Sequence, residues 1–293
     1  MKKILLSLIF VMFYSAIHAA EVKDKILNNL SGKISEFATY LLPGDGYTEV
    51  SIDLRENFSP DFSILGVREV APMTDGTFFT QFSLFNTEAD TGEGGDERII
   101  GNLGFGARKL LNNNTLMVGL NNFYDYDLEN EHQRGSLGAE VRSAVLEFNY
   151  NNYYKIKDGN ESENVMEGWD YRLASQIPYI HWAKIFISSY EWYGQARQDV
   201  EGTKYGSDAM LTSSLNLELA YDDKEKASSK DEWYAKLQFI HPPRDNGPTA
   251  ADGISSTMWK ENKDMSDELL SKVERQNKIM IEFKGSTTIS RAD

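Results

Sequence analysis

Cysteine is absent from the 293 residues, so no disulfide can hold the fold, and stability must come from backbone pairing and packing. Long apolar runs are also missing. Beyond the first twenty residues, no segment reaches the ~18 apolar residues that a transmembrane helix needs. The net charge is −15, and no basic stripe is visible. We therefore expect no nucleic-acid partner, since such proteins carry a basic surface.

The sequence motifs of common enzymes are lacking as well. It has no nucleophile elbow, no phosphate-binding glycine loop, no zinc-ligand spacing and no calcium loop. Of only four histidines, His132 alone lies among other charged residues, namely Asp125, Asp127, Glu131 and Arg134. No serine stands with His132 and an acid at a recognisable spacing, which leaves a hydrolase as a weak third hypothesis. We expect no enzymatic activity, no bound metal and no cofactor.

The N-terminus has the order of a secretory signal peptide. A basic pair precedes the apolar run 4–14, and small residues follow as far as Ala20, which predicts export through the Sec pathway with cleavage after Ala19 or Ala20. The run is too short to span a bilayer as a helix. Residues 21–42 then repeat apolar side chains at helical spacing, which predicts a short helix in a periplasmic helix and linker segment, 21–46.

From Thr48 onward the apolar period is two. In Leu211–Tyr221, for example, Leu215, Leu217 and Leu219 alternate with polar residues. Alternation fits either a soluble sandwich or a membrane barrel. Strands of ~10 residues, aromatic pairs at strand ends and connections of alternating length favour the barrel. The sequence therefore predicts an all-β fold, a twelve-stranded antiparallel transmembrane β-barrel over 47–285 with a short tail, 286–293.

The twelve predicted strands are centred near residues 52, 66, 81, 103, 120, 139, 150, 173, 188, 215, 236 and 281. The long connections, including Gln195–Ser207 and His241–Gln276, are predicted to be external, and short ones, with Asp222–Glu232, periplasmic. Because twelve is an even number, both ends of the predicted barrel lie on the periplasmic side.

The polar faces of the strands would line the lumen. The charged residues expected there are Arg98, Arg108, Glu140, Arg142, Glu147, Asp170, Arg172, Glu218, Lys236 and Glu282. They form either a stabilising network of mixed charges or a control on what passes through. Glycines within strands, at Gly101, Gly104, Gly106, Gly119 and Gly138, either allow curvature or make room for a chain inside the lumen.

A block of residues between Asn121 and Glu140 resembles the signature of the inverse autotransporter β-domain, the translocator barrel of the intimin and invasin family. The block comprises Asn121, Phe123, Asp125, Asp127, His132, Arg134, Leu137, Gly138 and Glu140. Further blocks that resemble the family follow in order at Gly168–Arg172, Tyr190–Gly194 and Val273–Lys284. The resemblance extends from about residue 37 to residue 284.

The resemblance implies an outer-membrane barrel of twelve strands, surrounded by outer-membrane lipid and folded by the barrel-assembly machinery and periplasmic chaperones. It also implies a linker that returns through the pore after the last strand and displays an adhesive passenger, with a helix near the pore, here Met265–Arg275. Only nine residues follow Lys284, so we expect no displayed domain in this chain. It would then be a stand-alone outer-membrane protein, a translocator whose passenger is encoded separately, or a remnant of a truncated adhesin. The alternative hypothesis is a small outer-membrane pore for solutes.

Overall fold

The computed structural model describes residues 46–55, 61–88, 97–195, 198–225, 231–244, 247–260, 264–284 and 289–290. The predicted signal peptide and the predicted helix at 21–42 lie outside these residues. No helix in the described part of the chain is long and apolar enough to cross a membrane.

Twelve antiparallel strands close into a barrel. They are β1 Gly46–Arg55, β2 Asp61–Met73, β3 Gly76–Glu88, β4 Glu97–Leu111, β5 Leu116–Asp127, β6 Gln133–Ser143, β7 Leu146–Lys157, β9 Glu167–Ile177, β10 Ile180–Tyr193, β11 Val200–Thr212, β12 Leu215–Lys224 and β13 Glu232–His241. Each strand pairs with its neighbours, and β1 pairs with β13 from Thr48 opposite His241 to Arg55 opposite Tyr234. The predicted twelve-stranded barrel is confirmed.

Period-two alternation divides the wall into two faces. Large apolar side chains on the outer face are exposed, among them Leu120 at 68% and Leu137 at 59%, because lipid rather than water surrounds them. Their neighbours along the same strands point inward and are buried, as Asn121 and Ser136 show. The exposed apolar band and the polar interior are the reverse of a soluble sandwich.

The connections differ in length at the two ends of the barrel. At the short-turn end, where β1 begins, they contain two to four residues: 74–75, 112–115, 144–145, 178–179 and 213–214. At the long-loop end they contain five to nine residues: 56–60, 89–96, 128–132, 158–166, 194–199 and 225–231. Outer-membrane barrels show the same asymmetry, with short periplasmic turns and longer external loops.

A small second sheet lies at the long-loop end. Strand β14, Ile281–Phe283, pairs with β8, Glu163–Val165, and with β15, Ile289–Ser290. Because β13 ends at the short-turn end and β8 belongs to the loop between β7 and β9, the chain must run the length of the barrel between His241 and Ile281.

Two predicted elements near the C-terminal half were wrong. The predicted strand near residue 281 is β14, which is not part of the barrel wall, and the predicted loop Gln195–Ser207 is largely strand β11. These two errors cancel in the count of twelve. Strand β11 escaped detection because its outer face carries Glu201, Thr203 and Ser207 beside Tyr205, which gives little apolar alternation.

The predicted direction of the last connections was wrong for the same reason. His241–Gln276 is not an external loop, since it starts at the short-turn end, and Asp222–Glu232 lies at the long-loop end. Both ends of the barrel wall lie at the short-turn end, as predicted, but β14 lies at the opposite end. The predicted helix Met265–Arg275 is a single 3₁₀ turn, Met265–Glu268, after which the chain contains no helix up to β14.

Candidate functional site

Residues 264–284, which we call the lumen segment, run through the barrel from the short-turn end to the long-loop end. At the first end, the Met265 amide donates to the carbonyl of Asn114, in the turn after β4, at 2.8 Å. At the other end, the Lys284 amide donates to the carbonyl of Ser162, just before β8, at 2.8 Å. The contacts between these two points follow the order of the sequence.

Near the short-turn end, two arginines share one carboxylate. Arg108 donates from Nε to Glu140 Oε1 at 2.6 Å, and Arg142 Nη2 lies 2.9 Å from Glu140 Oε2. All three side chains are buried. Their remaining donors reach the lumen segment: Arg108 Nη1 binds the Leu269 carbonyl at 2.9 Å, and Arg142 Nη2 binds that of Lys272 at 2.7 Å. Glu140 thus positions two arginine side chains, each of which binds a main-chain carbonyl of the lumen segment.

Halfway along the barrel, side-chain amides bind the backbone of the lumen segment. Gln81 Oε1 accepts from the Val273 amide at 2.8 Å, and Asn151 Nδ2 donates to the Glu274 carbonyl at 3.0 Å. Asp170 on β9 orients the neighbouring groups, because its two oxygens accept from Asn151 Nδ2 and the Tyr153 hydroxyl, each at 2.7 Å. Several backbone polar groups of the segment are thus paired with side chains of the wall inside the lumen, as buried groups require.

Closer to the long-loop end, Asp125 on β5 collects two arginines. Arg134 Nη2 lies 2.8 Å and Arg275 Nη2 of the lumen segment 2.7 Å from Asp125 Oδ2. None of these three side chains is exposed. Arg275 also lies over the ring of Phe123, 4.2 Å from its centroid, and Arg134 donates to the Gln276 carbonyl at 2.7 Å. This cluster combines side-chain and main-chain recognition of the segment.

An ionic cluster surrounds the point where the segment leaves the barrel. Glu163 on β8 accepts from Arg98 Nη2 at 2.6 Å and lies 2.5 Å from His132 Nε2, while Arg98 Nη1 lies 3.3 Å from Asp127 Oδ2. Burial would raise the pKa of Glu163, but the hydrogen bonds from His132 and Arg98 outweigh burial and lower that pKa to about 2. The cluster therefore fixes a charged carboxylate on the strand that pairs with β14.

The small sheet completes this exit. Ile281 lies opposite Val165 and Phe283 opposite Glu163 in the β14–β8 pair, and the Met166 amide donates to the carbonyl of Met280 at 2.9 Å. Ile281 and Val165 pack in one buried apolar cluster above the lumen. The alternation that resembled a barrel strand in the sequence reflects this packing.

The predicted charged residues occupy two locations. On the barrel strands, the inner face carries Arg98, Arg108, Glu140, Arg142, Glu147, Asp170, Arg172, Glu218 and Lys236. Glu282 lies instead on β14, where it accepts from Asn164 Nδ2 at 2.9 Å and from the Gln195 amide at 3.0 Å. Its predicted position on a barrel strand was wrong because β14 is not part of the wall.

The residues that carry the family resemblance line one part of the wall. Asn121, Phe123, Asp125 and Asp127 are buried on β5; Arg134, Gly138 and Glu140 lie on the inner face of β6. His132 is buried in the loop between these strands, and Leu137 points outward. Three of them, Phe123, Asp125 and Arg134, contact the lumen segment directly, and Glu140 acts through its arginines.

Sequence reasoning missed the uncharged partners of the lumen segment. Gln81, Asn102 and Asn151 bind its backbone, and Lys278 of the segment lies 2.5 Å from Asp61 at the start of β2. Amides at inward positions are common in any barrel lumen, so only the path of the segment distinguishes them. The charged residues within 272–278 are visible in the sequence. The side chains of the wall that pair with them could not be identified from it.

One part of the lumen is not filled. A cavity of about 160 Å³ lies beside the lumen segment, lined by the inner faces of β10–β13 and by some residues of β1–β3 and β9. Its walls include Tyr190, Lys204, Glu218 and Lys236. Among the described residues, no group of three or more histidine, aspartate or glutamate side chains is placed to hold a metal ion.

Comparison with known families agrees with this geometry. Residues 14–277 match the family described as the inverse autotransporter β-domain. A chain solved in a study of the in-meso crystallisation of membrane proteins has the same fold, with a TM-score of 0.63 at 17% identity, over 81% of this chain and 100% of that one.

Two curated relatives come from Escherichia coli (strain K12). The putative attaching and effacing protein homolog is 28% identical over 157 residues, which are 50% of this chain and 50% of that protein. The inverse autotransporter adhesin YeeJ is 31% identical over 159 residues, 50% of this chain but 6% of the relative. The match therefore spans at most about half the length of either relative.

Proposed function

Because the chain belongs to the inverse autotransporter β-domain family, we propose that it is an outer-membrane translocator that guides a polypeptide from the periplasm to the cell surface. The observation that carries this proposal is the path of the lumen segment. Its contacts begin at Asn114 in a short turn and end at Ser162 in a long loop. A chain that leaves the barrel at the long-loop end is positioned to present whatever is joined to it outside the cell.

The chemistry of the lumen supports this role. Five side chains of the wall, among them Arg108 and Arg142, donate hydrogen bonds to main-chain carbonyls of the segment. Every residue of any exported chain has such a carbonyl, so donors of this kind suit many sequences. The aromatic rings of Phe79 and Phe123 support the arginines from below, with Arg108 4.4 Å from the Phe79 ring.

The partners follow from this role and form part of the proposal. The barrel-assembly machinery and periplasmic chaperones would insert the β-strands, and outer-membrane lipid would cover the apolar band. The cargo would be a passenger, joined to the segment or encoded separately. Adhesion is what the name of the relative YeeJ states; for this chain we propose the translocation step alone.

The direction of the lumen segment can be tested with single cysteines, since the natural chain has none. Lys284→Cys places an exposed thiol at the long-loop end, and Ser256→Cys places one in the loop packed against the 178–179 turn. Intact cells are treated with a membrane-impermeant maleimide. We expect Lys284→Cys to be labelled on intact cells and Ser256→Cys only after the outer membrane is permeabilised.

The cysteine-free parent controls for labelling of other proteins, and a heat-modifiable band in the membrane fraction shows that each variant folds. If Lys284→Cys requires permeabilisation, the segment does not lead to the cell surface and the translocator proposal fails.

A solute pore, the alternative from the sequence, needs a continuous opening. The lumen segment runs through the barrel, and the cavity beside it has a volume of about 160 Å³. We therefore expect purified protein in planar bilayers to show no steady large openings. A conductance comparable to that of an open porin would favour the pore instead.

A further inference from the structure

Contacts to main-chain carbonyls hold the lumen segment but do not determine which residue lies at which height. Arg108 binds the carbonyl of Leu269, and Asn151 binds that of Glu274. The same groups recur at every residue. If the segment slid along the barrel axis, a different residue would offer an equivalent carbonyl. The register of the segment must therefore be fixed by its side chains.

Three basic side chains of the segment recur at every third residue, and each meets a carboxylate of the wall. The pairs are Lys272 Nζ with Glu49 Oε2 at 3.3 Å, Arg275 Nη2 with Asp125 Oδ2 at 2.7 Å, and Lys278 Nζ with Asp61 Oδ2 at 2.5 Å. The three pairs are largely or wholly buried; the side-chain exposures of the basic residues are 17%, 0% and 3%.

The three carboxylates lie at increasing heights in the barrel. Glu49 is close to the start of β1 at the short-turn end, Asp125 is close to the end of β5, and Asp61 begins β2 at the long-loop end. In an extended chain, three residues cover ~10 Å at ~3.3 Å each. The spacing of the basic residues thus follows the spacing of their partners along the axis.

Building on the proposed function, we propose that Lys272, Arg275 and Lys278 form a charge ladder that fixes the axial register of the lumen segment. A shift by one or two residues separates all three pairs and removes a buried ionic partner from Lys272, Arg275 and Lys278, which is unfavourable. A shift of three residues toward the long-loop end brings Lys272 to Asp125 and Arg275 to Asp61. The ladder therefore favours movement in steps of three residues.

Apolar contacts are the main rival for this role. Val273 packs with Tyr47, Leu65 and Phe79, and Ile279 packs with Ile100. Apolar burial is non-directional and roughly proportional to area, so these contacts oppose withdrawal of the segment without selecting a partner for each residue. Each basic side chain, by contrast, needs a carboxylate at its own height, and for this reason we assign register to the ladder.

Disulfide cross-linking measures the register directly. Val165 lies opposite Ile281, and antiparallel partners have the Cα separation that a disulfide needs. Val165→Cys is combined in turn with a cysteine at each position from 280 to 283, and membranes are treated with a mild oxidant. In the parent we expect cross-linking at 281 alone.

The ladder is then broken in two steps, first with Lys278→Gln and then with Arg275→Gln added. We expect the yield at 281 to fall at least threefold and cross-links to form at 280, 282 and 283. Lys284→Gln removes an exposed basic residue of the same segment outside the lumen, and this matched control should leave the pattern unchanged. Asp61→Lys should disturb the register, and Asp61→Lys with Lys278→Asp should restore it.

Heat modifiability confirms folding of each variant, and Lys278→Gln at the rim is the milder change. Cross-linking that stays confined to 281 in the double variant would overturn the ladder while leaving threading intact. Failure of the 165–281 cross-link in the parent, with Lys284→Cys unlabelled on intact cells, would instead overturn the threading on which the ladder rests.

Discussion

The two sides of the barrel wall share one alternating pattern but face the lumen segment differently. On the contact side, β1–β9, polar side chains reach the axis and bind the segment, as Arg108 and Asp125 do. On the cavity side, β10–β13, the inner side chains border a cavity of about 160 Å³ and pair with their neighbours: Asn216 with Gln238 and Tyr190 with Asp222.

This difference shows what converts a polar barrel interior into a polypeptide site. Both sides bury charges, and both balance them within the wall; Arg172, for example, lies 3.4 Å from Asp208. Among the described residues, it is the contact side whose arginines also donate to main-chain carbonyls of the segment. We infer that specialisation for a threaded chain lies in arginines that bind a wall carboxylate and a segment carbonyl at once, since a guanidinium carries five N–H donors.

The largest loss of stability is expected from removing the Glu140 carboxylate, which pairs with two arginines. Glu140→Ala leaves Arg108 and Arg142 buried without their shared partner, and loss of one partner of a buried pair costs about 3–5 kcal/mol. On the cavity side, Glu218→Ala removes a carboxylate that bonds to the Tyr234 hydroxyl at 2.8 Å and lies 3.9 Å from Arg172. Because Arg172 keeps Asp208 at 3.4 Å, we expect a smaller cost of about 1 kcal/mol.

Both variants are compared by urea unfolding in detergent micelles, with the parent as reference. The slope of the transition must be the same for the three proteins, because a changed slope would mean a changed folded or unfolded state. Equal losses for the two glutamates would contradict the distinction between the contact side and the cavity side.

A second effect concerns the exit on the contact side and depends on pH. The pKa of Glu163 is lowered to about 2 by His132 and Arg98. A lowered pKa in the folded state stabilises the protein above the unfolded value of ~4.3 and loses that stabilisation as pH falls towards 2. At 1.36 kcal/mol per unit, the contribution at neutral pH is about 3 kcal/mol.

Glu163→Gln should therefore lower the free energy of unfolding at pH 7 and weaken its decline between pH 4.5 and 2.5. The matched control is Glu131→Gln, whose exposed carboxylate pairs with Lys157 at 3.0 Å on the same end of the barrel. Exposed pairs contribute little, so the control should follow the parent. An unchanged pH profile in Glu163→Gln would show that the cluster does not stabilise the exit.

The alternating pattern predicted the barrel because each strand needs only a local signal, an apolar outer face. This signal was strong in β12, with Leu215, Leu217 and Leu219, and weak in β11, whose outer face carries Glu201 and Ser207. Strand β11 is held by its neighbours β10 and β12 over its whole length. Pairing on both sides can stabilise a strand that lacks a lipid-facing apolar pattern. This stabilisation cannot be recognised from the sequence of that strand alone.

The lumen site was predicted only as far as the wall. The inward position of the wall charges follows from the alternation of side chains along each strand. The partners of Arg275 and Lys278 depend instead on the path of the lumen segment, because these contacts join residues that are far apart in the sequence. Ile279, Ile281 and Phe283 alternate like a barrel strand because they pack against the exit, not against lipid. Alternation reports which side of a strand is apolar and does not report the kind of surroundings.

The smallest effect tests how closely the contact side is packed. Gly104 and Gly101 lie on opposite faces of β4. A Cβ atom at Gly104 would come within 2.3 Å of the buried Phe123 ring, which supports Arg275, whereas one at Gly101 would meet Leu84 and Leu128 at an ordinary 3.6 Å. Gly104→Ala should cost about 1–3 kcal/mol, as overpacking does, and loosen the hold on the segment.

Gly101→Ala should be neutral or slightly stabilising, because alanine restricts the unfolded chain where the backbone tolerates it. Urea midpoints give the stability, and the 165–281 cross-link yield shows whether the segment moves. If the two variants behave alike, the inner face of β4 accommodates an added methyl group as readily as the lipid-facing side does. The glycine at 104 would then serve strand curvature, and the room it provides for Phe123 would have no part in holding the segment.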